Sequence, residues 1–100
     1  MEKYYNEEII ERLKKIADHY GLVSQIAKLN EELGELSSEC GYAMIGKMNE
    51  NIYSEIADVL ILISQIEYLL GCGKKVNEQI EFKTRRQIQR IDREEQEKNM

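Results

Sequence analysis

Residues 55–66 read EIADVLILISQI, and the fold turns on how this stretch is read. Five apolar residues, Val59 to Ile63, stand in a row, and apolar side chains continue through Ile66 to Leu69 and Leu70 without a glycine or proline. A segment this apolar in nearly every direction predicts a central helix, covered by its neighbours. Yet it opens with Glu55 and Asp58, spaced i, i+3, so that both carboxylates project toward one neighbour. Ionised groups taken out of water are unfavourable unless a counter-charge or a metal meets them. The stretch therefore predicts a core helix and a functional site together.

The rest of the chain supports a helical reading. Its 100 residues contain no proline and only six glycines, so little interrupts long helices. One all-α domain spanning 1–100 is expected, built as a four-helix bundle. A domain of this size buries only about two-thirds of its unfolded surface, which makes a homodimer or a dimer of dimers the expected state. The net charge of −5 and pI near 5.0 argue against binding a nucleic acid polymer, whose phosphates select a basic surface. Cys40 and Cys72 share no metal-type spacing and read as reduced thiols. MEKYYNEEII has neither a basic nor an apolar leader segment, and VLILISQIEYLL is broken by Gln65 and Glu67, so a cytoplasmic protein without a membrane span is expected.

Periodicity and glycine punctuation divide the chain into four segments. The first runs over 6–19, with Ile9, Ile10, Leu13, Ile16 and Ala17 on one face. The second runs over 22–45, with Ile26, Leu29, Leu33, Leu36, Cys40 and Met44 as its apolar stripe. A turn at GKMNEN leads to the third, capped by Asn51 or Ser54 and ending at Leu70. The fourth starts near Lys75 with Val76, Ile80, Ile88 and Ile91 on one stripe, and the polar tail 93–100 is expected to fray. Residues 74–93 carry seven of the 14 basic residues, among them Lys83, Arg86 and Arg90 on a stripe separate from the apolar one. Tyr42, Tyr53 and Tyr68 are expected in core or interface, and His19 at the end of the first helix.

Carboxylates also mark the second segment, where EELGE supplies Glu31, Glu32 and Glu35, with Glu39 a turn further on. At about 100° per residue these four share one sector of the helix. If that sector meets Glu55 and Asp58, like charges repel, and a divalent cation is what holds them together. All-oxygen ligands with no His or Cys nearby favour a hard ion, Mg²⁺ or Mn²⁺, over zinc.

EExxE at 31–35, followed after 19 residues by ExxD at 55–58, resembles the MazG-like nucleoside triphosphate pyrophosphohydrolases of the all-α NTP pyrophosphatase superfamily, and looks nearest to their small stand-alone, phage-type members. The resemblance covers about residues 25–92. It implies a helical homo-oligomer that uses Mg²⁺ to cut a nucleoside triphosphate into monophosphate and pyrophosphate. It further implies Glu32, Glu35, Glu55 and Asp58 as metal ligands, and Glu31 as a ligand to a further ion or its water. The last helix departs from the family pattern N-x-K-F-x-x-R: here NEQIEFK puts Gln79, Ile80 and Lys83 where Lys, Phe and Arg stand. On this reading water attacks the α-phosphorus, oriented or deprotonated by Glu31 or Glu35, while Lys83 and Arg86 bind the phosphates. The alternative is a non-catalytic or degenerate MazG-like helical dimer that binds a nucleotide or a protein partner.

Overall fold

The computed structural model describes residues 5–99, which form four helices and, among those residues, no strand: α1 (Glu7–Tyr20), α2 (Leu22–Met44), α3 (Asn51–Leu70) and α4 (Gly73–Lys98). The fold is all-α. No helix among the described residues is long and apolar enough to cross a membrane.

Local chemistry sets the helix ends. Asn6 caps α1, its Oδ1 accepting from the Ile9 amide at 2.9 Å, and Glu7 and Glu8 sit in the first turn where the helix dipole favours anions. Gly21, at φ +83, closes α1 and opens α2 in a single residue, a conformation that costs glycine least. For α3 the start differs from expectation. Neither Asn51 nor Ser54 caps it; Asn49 Oδ1 accepts from the Asn51 amide at 2.9 Å instead, because the helix begins a turn before Ser54. Gly71 ends α3 in the left-handed region at φ +61.

α3 is the central helix, as its composition predicts, packing against both α1 and α2, while α1 also touches α2. On the α1 side the Tyr5 hydroxyl donates to the Leu60 carbonyl at 3.2 Å, and the Tyr68 hydroxyl donates to Asp18 Oδ2 at 3.0 Å. The buried apolar side chains are few: Leu13 and Ala17 from α1, Val59 and Leu62 from α3. Between α2 and α3 runs a seam with the 4-3 spacing of a coiled coil. Gln25, Leu29, Glu32, Leu36, Glu39 and Ala43 face Ile52, Glu55, Val59, Leu62, Ile66 and Leu69, all at least half-buried. The apolar stripe read for α2 is thus only partly its inner face. Ile26, Leu33, Cys40 and Met44 are exposed, because the polar Gln25 and Glu32 take the buried positions one step around the helix.

Other expectations meet a different arrangement. The chain's own bundle has three helices: every residue of α4 from Asn77 onward is exposed, leaving α4 outside it. Along the tail expected over 93–100, α4 continues to Lys98 through residues of high helix propensity with no glycine, and Met100 lies outside the described residues. Of the core or interface expected for Tyr42, Tyr53 and Tyr68, the core is not where they lie; all three are exposed in the single chain.

With so small a core, each buried leucine matters. Leu62→Ala should lower the free energy of unfolding by about 2–4 kcal/mol in urea melts, while the exposed Glu95→Ala should stay within about 0.5 kcal/mol of the unsubstituted chain. Equal effects from the two would move the core away from the α3 seam.

Candidate metal centre

The antiparallel pairing of α2 and α3 sets EELGE beside ExxD. Glu31, Glu32 and Glu35 each offer a carboxylate oxygen within 4.8 Å of the others, and so do Glu32, Glu55 and Asp58. Glu32 belongs to both groups and is the most enclosed member, at 6% exposure. All five acids that the sequence singles out are brought together.

Charge in this region is out of balance. Lys28 is the cation at the site, with Nζ 3.3 Å from Glu32 Oε1 and 3.5 Å from Glu31 Oε2. That leaves one ammonium among five carboxylates. The second oxygens of Glu32 and Glu55 are buried without a hydrogen-bond partner, and Glu39, two turns beyond Glu32, also turns an unpartnered oxygen inward. Burial of this kind, together with the nearby Glu35 and Glu32 carboxylates, pushes Glu55 up to about 7. Glu32 moves the other way: burial opposes its ionisation, but hydrogen bonds with Lys28 and then Glu35 outweigh that and hold it below the usual range. Lys28 is raised in turn, first by Glu32 and then by Glu31.

This donor set fits a hard divalent cation. Its ligands are all oxygen, they come from two helices rather than one exposed face, and two of the oxygens are buried and lack any partner the protein supplies. A cavity of about 220 Å³ adjoins the acids, lined by Ile16, Gln25, Lys28, Glu32, Asp58 and Gln65 among others. Gln25 and Gln65 are buried, each with one amide atom unpartnered. The sequence reading missed these two and Lys28. Gln25 stands seven residues before Glu32, and Gln65 seven after Asp58, which puts each on its acid's side of the helix; that spacing was the signal.

The expected phosphate contacts are placed differently. Lys83 and Arg86 lie on the exposed part of α4, where Arg86 stacks over the Phe82 ring at 5.5 Å, and neither pairs with the acids. His19, in the last turn of α1, packs edge-on against Tyr20. Comparison with protein-family models matches no family, and comparisons with curated proteins and with solved structures return no similar protein.

A carboxyl raised in the folded state adds stability that is complete below its unfolded value near 4.5 and is lost as pH rises through about 7. In EDTA the melting temperature of the protein should therefore fall between these pH values. Glu55→Gln, neutral throughout, should match it at the acid end and exceed it above the transition. Parallel melting curves across the whole range would mean that Glu55 does not carry the strain.

Proposed function

We propose that Glu32, Glu35, Glu55 and Asp58 hold a divalent cation, Mg²⁺ or Mn²⁺, and that the protein is a MazG-like nucleoside triphosphate pyrophosphohydrolase. One observation carries this reading: Glu32, Glu55 and Asp58 converge within 4.8 Å across a helix seam, with buried oxygens of Glu32 and Glu55 left unpartnered. A scaffold gains nothing from such a group, since apolar residues at these positions would be more stable. When bound, the cation would neutralise phosphate oxygens and lower the pKa of a coordinated water.

The remaining chemistry falls to the chain's own residues. Glu31 and Glu35, the exposed acids of the cluster, orient the attacking water and accept its proton, and pyrophosphate leaves from the α-phosphorus. Lys28 is the cation at hand to contact a phosphate oxygen. Gln25 and Gln65, at the floor of the adjoining cavity, offer amide groups to a base edge. Lys83 and Arg86 would join only where α4 is carried to the acids.

The second reading, a helical module that binds without turnover, is favoured by the position of α4, which keeps Lys83 and Arg86 apart from the carboxylates. Incubation with Mg²⁺ and a panel of canonical, deoxy and modified triphosphates separates the two. Pyrophosphate release is expected, and Asp58→Ala should reduce it by at least about a hundredfold while leaving the helical content unchanged. Glu81→Gln, outside the cluster, should have little effect. Near-normal release by Asp58→Ala would overturn the metal role, and no release from any triphosphate would leave the binding module.

A further inference from the structure

The cavity beside the acids holds two side chains that the metal chemistry does not use. Gln25, at 5% exposure, and Gln65, at 1%, both line it from buried positions. Gln25 Oε1 and Gln65 Nε2 are buried without a hydrogen-bond partner, so they do not bond one another. A bare acceptor and a bare donor in one cavity are unfavourable until a ligand completes them. Apolar contact comes from Ile16 of α1 and from Ile61 and Leu62 of α3, so all three helices of the bundle meet around the space.

This mixture narrows the ligand. A carbohydrate, hydroxylated on every side, would be left unsatisfied against Ile16, Ile61 and Leu62, and an aliphatic chain would leave the two amides unpaired. A bare phosphate is repelled by Glu32 and Asp58, which line the same cavity. A flat heteroaromatic ring has what the cavity selects, apolar faces and an edge that carries a donor beside an acceptor. Size then chooses among such rings. A cavity of about 150 Å³ takes a benzene-sized ring, and this one, about 220 Å³, takes a single six-membered ring with its polar substituents rather than a fused bicyclic one. We propose that Gln25 and Gln65 form a subsite for a pyrimidine base, with Gln25 Oε1 accepting from an N–H of its edge and Gln65 Nε2 donating to the acceptor beside it. The subsite rests on the proposed function for a nucleotide ligand and deepens it by naming the pyrimidine class.

Nuclear magnetic resonance of the ¹⁵N-labelled full chain in EDTA reads the two glutamines with neither metal nor turnover. Their side-chain amide signals are identified by their loss in Gln25→Met and Gln65→Met, which keep the side-chain length. Cytidine and uridine at millimolar concentration should each shift both signals saturably and leave the exposed Gln87 unmoved. Adenosine and guanosine should bind at least about tenfold more weakly, as should 3-methyluridine, whose edge has lost its N–H donor. Each substitution should weaken cytidine and uridine to a similar degree with helical circular dichroism retained. Signals that neither pyrimidine nucleoside moves would mean that the amides face water alone; that outcome, or equal shifts with purine nucleosides or with 3-methyluridine, would overturn the subsite even if triphosphates are hydrolysed. Shifts with cytidine and uridine when no triphosphate yields pyrophosphate would uphold the subsite and overturn the pyrophosphohydrolase reading alone.

Discussion

Everything in this structure follows from carboxylates occupying a helix–helix seam where apolar side chains would ordinarily interdigitate. Gln25, Glu32 and Glu39 hold every other position along the inner face of α2, and Glu55 answers them from α3. Like charges at such range repel, and the low dielectric of a partly buried seam strengthens the repulsion. Lys28 offsets part of it, and a proton retained on Glu55 offsets more. Once Glu55 is ionised, the protein supplies no hydrogen-bond partner to the buried Glu32 and Glu55 oxygens. The seam is thus poorly suited to hold a fold and well suited to hold a cation, the usual trade between stability and function.

The rest of the architecture compensates. Polar residues inside α2–α3 leave only Val59 and Leu62 as the buried apolar side chains of that seam, so α1 adds Leu13 and Ala17 along α3, and Tyr5 and Tyr68 tie it to α3 by hydrogen bonds. The apolar residues displaced from the seam emerge together on the other side of the pair. The hairpin therefore turns its carboxylates one way and Ile26, Leu33, Ile56 and Ile63 the other.

Much of this was legible in the sequence. EIADVLILISQI gave the central helix, glycines at 21 and 71 gave the helix ends, and the EExxE and ExxD spacings gave the five acids that the fold brings together. Hydrophobicity in this chain does not equal burial. The apolar stripe of α2 points to Ile26, Leu33 and Met44, yet the inner face of α2 is chosen by the register with α3 that places Glu32 against Glu55 and Asp58. The amphipathic pattern of α4 marks a helix, but a stripe does not say which surface it covers, and within one chain the stripe from Asn77 onward covers none. Gln25 and Gln65 went unnoticed because a glutamine on a helix ordinarily signals solvent; only their seven-residue offsets from the acids marked them.

The most direct measurement is a titration of the protein with Mn²⁺, followed by the loss of the free-ion electron paramagnetic resonance signal, at a pH of about 8, where Glu55 is ionised and ready to bind. Saturable binding that Mg²⁺ displaces, and that Glu32→Gln abolishes while the helices persist, is the result expected of a seam that closes around a cation. Weak, unsaturating uptake that is the same in the unsubstituted chain and in Glu32→Gln would contradict it, and the acids of α2 and α3 would then be strained carboxylates without a metal.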